Sequence, residues 1–217
     1  MQMRGSLIWS RLRAFNKTAH NKNYVRRGDQ LFAGRTVLVK EDDDGTLVRR
    51  CLAGDRAAFE QLVVRYQKPV YNAALRLLRD PEEARDIAQT TFLNAFTHIA
   101  DYDPTYKFYS WLYRIAINES LHVVQKRKLV EVISGEEADD AAGPETLVES
   151  EQTAKAIEGA LMRVKPELRA VIVLRHFLHL SYQDMSDVLQ LPSKTVKSRL
   201  YTARQLLRDE LLQREMV

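Results

Sequence analysis

Residues 180–211, LSYQDMSDVLQLPSKTVKSRLYTARQLLRDEL, decide the fold. Ser181 starts a short helix over 182–190 as its cap, with Asp184 three positions on as its capping-box partner. Leu191, Pro192 and Ser193 turn the chain, and Ser193 caps a long final helix over 194–213. Val196, Leu200, Ala203, Leu207 and Leu211 recur at steps of three or four, which places them on one inward face. Lys194, Lys197, Ser198, Tyr201, Gln205 and Arg208 fall on the other face. A capped short helix, a tight turn and a longer helix with a basic, hydroxyl-bearing first half match the helix-turn-helix pattern, whose second helix would enter the DNA major groove; an ordinary helical hairpin with a solvated basic face is the alternative. Lysine reaches guanine acceptors and serine either kind of base edge. Arg199, Arg204 and Arg208 are placed for phosphate or for pairing within the chain.

Upstream of this unit, residues 153–164 and 166–178 read as two further helices, divided near Pro166. Residues 129–151 have no sustained apolar period and contain Gly135, Gly143 and Pro144, so they form a linker. From residue 131 to 151 the chain carries eight acids and no base, a bias that a mere spacer does not require. Before the linker lies a second helical unit. Its first helices are capped by Asp55 and by Asp80, the latter followed by Pro81 in the first turn and by Glu82, Glu83 and Asp86 near the positive helix end. Pro69 is expected to kink or restart the helix it interrupts.

That unit ends in YDPTYKFYSWLYRIAINESLHVVQKRK, residues 102–128, where six aromatics fall within twelve residues. Lys107, Ser110, Arg114, Asn118, His122 and Gln125 lie opposite the apolar face at helical spacing and include no acid. Aromatic platforms beside cations bind single-stranded nucleic acid, each stacked base contributing roughly 1–3 kcal/mol. Aromatics packed into a core beside a solvated stripe explain the same pattern, and this stretch by itself does not separate the two.

Composition narrows the class. At 217 residues, 45% hydrophobic and 29% charged, the chain is that of a globular protein with room for two small domains. The net charge is only +4, yet residues 1–40 hold nine Lys or Arg against the single acid Asp29, a block pattern suited to polyelectrolyte partners. Cys51 is the only cysteine, and no apolar run approaches the roughly 20 residues that span a bilayer, so an intracellular, reducing setting is expected. His176 and His179 are three apart but lack the Cys or carboxylate partners of a metal site. No phosphate loop, nucleophile elbow or catalytic carboxylate pair is present, so neither an enzyme nor a cofactor or small-molecule substrate is expected.

Three motifs in order, AFEQLVVRYQKPVYNAALRLL with PEEARDIAQTTFLNAF, then FYSWLYRIAIN, then the helix-turn-helix, resemble a bacterial extracytoplasmic-function sigma factor of the sigma-70 family over residues 43–212. The resemblance implies an all-α fold of two small domains: a basic extension (1–41), a region 2-like four-helix domain (42–128), the acidic linker (129–151) and a region 4-like helix-turn-helix domain (152–217). It also implies a transcription initiation factor in the cytoplasm, bound to core RNA polymerase through the beta-prime clamp helices and the beta flap, and to promoter DNA. An anti-sigma factor, in some relatives at the inner membrane face, is the implied inhibitor, in a stress or envelope response.

Position by position, Asp86, Ile87, Gln89 and Phe92 match the polymerase-binding surface. Tyr102 and Asn118 match the capture of a flipped minus-10 base, with Lys107 and Arg114 on the phosphate path. Lys197, Ser198 and Tyr201 match base-reading positions at minus-35, Arg199 and Arg204 basic positions near phosphate, and Lys194 replaces a frequent glycine there. Thr90 stands where the family often has Glu, and Met185-Ser186 where it often has Ile-Ala. A repressor using the helix-turn-helix alone would leave residues 82–96 and the aromatic segment unexplained; a helical adaptor whose basic faces bind acidic proteins is the second alternative.

Overall fold

The computed structural model describes residues 42–134 and 149–215, and all regular elements among them are helical. The basic extension and the centre of the acidic linker lie outside the described residues. Helix α1 (Asp44–Leu52) begins where the Asp43 carboxylate accepts from the Thr46 N–H at 2.7 Å, and it ends before Gly54, whose φ of 92° suits a residue without a Cβ. Asp55 then caps α2 (Arg56–Leu78) by accepting from Ala57 and Ala58. The helix does not restart at Pro69: α2 runs through it as one element. An interior proline costs about 3 kcal/mol. Residues on both sides of it, Leu62, Val70, Ala73, Ala74 and Leu77, are buried, and each large apolar side chain so buried contributes about 1.5–3 kcal/mol.

Asp80 accepts from Glu82 and Glu83 to open α3 (Pro81–Thr97), which is followed by a 3₁₀ turn (Ile99–Asp101). Helix α4 (Phe108–Ser134) continues past Lys128 into the stretch expected to be linker. On the far side of the acidic segment come α5 (Glu149–Arg163), α6 (Pro166–Ile172) with a π-helical turn over Val173–Phe177, α7 (Tyr182–Leu189) and α8 (Ser193–Glu215). Helices α2, α3 and α4 pack on one another with α1 against α2, while α8 packs on α5, α6 and α7. The inward row read from the sequence is real: Val196, Leu200, Ala203, Leu207 and Leu211 are all buried.

The two units also pack together, α4 against α7 and the end of α2 against the π turn. The last carbonyls of a helix lack partners within it. At the end of α2, arginines from elsewhere supply them. Arg127 of α4 donates to the Leu78 carbonyl at 3.1 Å, and Arg169 of α6 donates to the Leu77 carbonyl at 2.5 Å. Arg169 is only 3% exposed and also donates to the carbonyls of Met162 and Val164, so all three acceptors share one buried guanidinium. Burial pulls its pKa down to about 10, and it remains a cation at the negative end of the α2 dipole. Beside it the Arg76 guanidinium lies 4.2 Å over the Phe177 ring.

Candidate nucleic-acid interface

The helix-turn-helix is held by local chemistry. Ser181 Oγ accepts from the Asp184 N–H at 3.1 Å, and the Ser181 N–H donates to the Asp184 carboxylate at 3.1 Å, completing the expected capping box. Helix α7 ends at Gln190 in the left-handed conformation (φ 52°), and Ser186 Oγ donates to the Leu191 carbonyl, tying the turn back to the helix. Helix α8 therefore leaves the turn in one fixed direction. Lys194, Lys197, Ser198 and Tyr201 all lie exposed on it, Tyr201 at 67%. Arg199 and Arg204 are half-buried, and Arg204 Nε donates to His176 Nε2 at 3.2 Å.

Two neighbours of this face were not singled out from the sequence. The Arg175 guanidinium lies 5.0 Å from the centroid of the Tyr182 ring, and the Lys197 ammonium lies 5.4 Å from the same ring. Tyr182 is the residue directly after the Ser181 cap, so a helix-turn-helix reading already places its ring near the next helix. Arg175 comes from the π turn, which no sequence period announces.

The second candidate face surrounds the start of α4. Tyr102, Phe108 and Trp111 form a ring cluster with centroids 5.5–5.8 Å apart. Phe108, 2% exposed, continues it inward to Tyr66. Tyr66 donates to the Asp44 carboxylate, and Arg65 pairs with the same group, so α1 and α2 clamp the base of the cluster. The Tyr102 hydroxyl donates to the Tyr106 carbonyl at 2.5 Å, and burial pushes its pKa up. Asn118 is exposed two turns beyond Trp111, about 10 Å further along the helix, so it is not drawn into the cluster. Ser110, expected on the polar stripe, is fully buried with its hydroxyl unpartnered among the described atoms. The stripe is narrower than its spacing implied because α7 packs along α4.

Lys107 and Arg114 are engaged from across the molecule. Lys107 Nζ donates to the Asp184 carboxylate at 2.9 Å. Hydrogen bonding to the Tyr109 hydroxyl, and next to Asp184, raises its pKa. Arg114 donates through Nε and Nη2 to the Asp187 carbonyl at 3.2 and 2.8 Å, and its guanidinium lies 5.5 Å over the Tyr106 ring.

On α3, Asp86 and Gln89 are exposed as expected. Ile87 is 5% exposed and belongs to the core, and Phe92 is half-buried against it. One helical turn further, Leu93 (65%) projects outward in line with Asp86 and Gln89, and Phe96 (48%) follows with one side of its ring exposed and its centroid 5.0 Å from that of Phe59. Continuing the helical period through Asp86 and Gln89 finds both.

Two family models match the chain, Sigma-70 region 2 over residues 62–130 and Sigma-70, region 4 over residues 154–207. The RNA polymerase sigma-H factor of Pseudomonas aeruginosa is 32% identical over 188 residues, covering 81% of this chain and 97% of that protein. The chain belongs to the sigma-70 family. It falls in the extracytoplasmic-function group: the ECF RNA polymerase sigma factor SigW of Bacillus subtilis is 31% identical over 76% of this chain and 94% of its own. Among solved structures, CnrH in complex with the cytosolic domain of CnrY aligns with a TM-score of 0.61 at 27% identity, over 78% of this chain and 97% of that one. RpoE of Bartonella quintana, solved with the anti-sigma factor NepR, shares the fold with a TM-score of 0.59 at 23% identity, over 70% of this chain and 96% of its own. In this sigma factor the region 2 match runs from within α2 to α4 and the region 4 match from within α5 to α8, and none of its described helices is long and apolar enough to cross a membrane.

Proposed function

We propose that this sigma factor docks on core RNA polymerase through the outward face of α3, reads the minus-35 element with α8 and holds the minus-10 strand along the start of α4. One observation supports the reading above the others. Lys194, Lys197, Ser198 and Tyr201 stand in one exposed row on a helix whose opposite row is buried, at the end of a fully capped turn. Arg175, Tyr182, Arg199 and Arg204 flank the row and suit phosphate. At the polymerase dock, Asp86, Gln89, Leu93 and Phe96 form the contact strip, with Ile87 and Phe92 beneath it holding the helix in place.

At minus-10, Tyr102 and Asn118 engage an extruded base, and Lys107 and Arg114 engage the backbone. Extrusion costs a few kcal/mol and stacking returns about 1–3 per base. Two modest DNA sites on one chain gain from effective concentration once polymerase sets their separation, so the free factor binds promoters weakly. The protein performs no chemistry of its own and works in the cytoplasm. An anti-sigma partner, by analogy with the inhibitor bound to the Bartonella RpoE, covers one of these faces. In a stress or envelope response it would hold the factor at the inner membrane face.

Specific initiation by purified core polymerase with this factor, on a promoter library, is the expected result; initiation no different from core alone would refute it. Asp86→Arg is expected to weaken core binding at least about a hundredfold with an unchanged melting curve, by setting a cation where a partner cation is met. Unchanged polymerase affinity would remove α3 from the dock.

A further inference from the structure

We infer that Tyr182 is a positioning residue for minus-35 recognition: its ring seats the Lys197 ammonium and so sets which base pair that lysine reads, without itself touching a base. This deepens the minus-35 reading above and rests on it. Lys197 is exposed near the start of α8, and its flexible four-carbon stem could point the cation in many directions. Its ammonium nevertheless lies 5.4 Å from the Tyr182 ring centroid, within the range of a cation–π attraction. A lysine held in one direction before DNA arrives loses less freedom on binding, and it meets one base edge rather than several.

The seat is rigid. Tyr182 follows the Ser181 cap, whose reciprocal bonds with Asp184 fix the backbone at the start of α7, and its ring is half-buried against the core. The Arg175 guanidinium lies 5.0 Å from the same centroid, and its Nη1 donates to the Leu180 carbonyl at 2.6 Å. Of the two cations at the ring, one is therefore anchored to the backbone, and Lys197 is the one that can reach into the groove. Arg175, suited to phosphate, stands where the DNA backbone passes, and Lys197 is aimed from the same point toward the base edges. Specificity is thus set by a side chain on the first helix of the motif, acting through one on the second.

Binding of the full-length factor, in polymerase holoenzyme, to a duplex library randomised at the minus-35 element tests this. Lys197→Ala identifies the base pair whose preference it relaxes. Tyr182→Leu keeps an apolar side chain against the core and removes the aromatic face. Preference at that same base pair is expected to fall about two- to fivefold, the size of a cation–π contact at an exposed site, with little change at other positions. Tyr182→Phe is expected to keep the preference, since phenylalanine offers the same face, even where loss of the hydroxyl costs overall affinity. Combining Tyr182→Leu with Lys197→Ala should be no less selective there than Lys197→Ala alone. In the free, unmutated factor, the ring current is expected to place the Lys197 ε-methylene protons upfield of those of the exposed Lys194 in the NMR spectrum, a readout that stands even if Tyr182→Leu does not fold. Uniform weakening by Tyr182→Leu across all sequences, loss of the preference in Tyr182→Phe, or Lys197 and Lys194 protons that coincide would each overturn the positioning role. If Lys197→Ala relaxes preference at no base pair, the base-reading assignment itself fails, and the role of Tyr182 with it.

Discussion

The two DNA-facing regions of this sigma factor are built in opposite ways. The α8 face is one row of one helix: its side chains project from a buried opposite row, and its neighbours Tyr182 and Arg175 come from the start of α7 and from the π turn of the same domain. The α4 face is assembled from distant parts. Its aromatics rest on α1 and α2, and its cations are bonded to residues 77 and 73 positions away. A face of the first kind can evolve new sequence preference by single substitutions. A face of the second kind carries the stability of its domain, so the same substitutions there disturb the fold.

Paired substitutions put numbers on that difference. The largest effect is expected for Phe108→Ala, which empties a buried position joining Tyr66, Tyr102 and Trp111; stability to urea should fall by about 3–5 kcal/mol. A fall below about 1 kcal/mol would mean that the aromatic cluster is not structural. Lys197→Ala on the open face should weaken minus-35 binding by about 1–3 kcal/mol and relax preference at one base pair. Uniform weakening across sequences would make it a phosphate contact. Asp55→Ala, which removes both the α2 cap and the Arg50 pair, should lower the stability of the region 2 domain by about 1 kcal/mol in thermal melts. The smallest effect belongs to Tyr201→Ala, expected to change stability by no more than about 0.5 kcal/mol while still weakening DNA binding. Were Tyr201→Ala to unfold the domain, the contrast between the two faces would collapse.

The same contrast governs what is legible in the sequence. Caps at Asp55, Asp80 and Ser181 and the inward row from Val196 to Leu211 are readable because each depends on residues within one or two turns. Family motifs then supply the names of the domains. Spacing fails where a third element arrives. Ser110 is polar and on the expected stripe yet buried, whereas at Ile87 it is the family match, and not the spacing, that assigns a docking role to a residue facing the core. Pro69 misleads for a related reason: the local penalty is real, but burial on either side outweighs it. The partners of Lys107 and Arg114 have no local signature, because they depend on how two domains meet.

The arginine from α6 that reaches the Leu77 carbonyl makes the length of α2 a matched quantity. Each residue added to or removed from a helix turns everything beyond it by about 100° and shifts it by 1.5 Å. A single insertion before Leu77 would aim that carbonyl away from Arg169 and swing Arg76 off Phe177 at the same time. Among relatives that keep this arrangement, the spacing from Asp55 to Arg79 should therefore tolerate substitution far better than insertion or deletion.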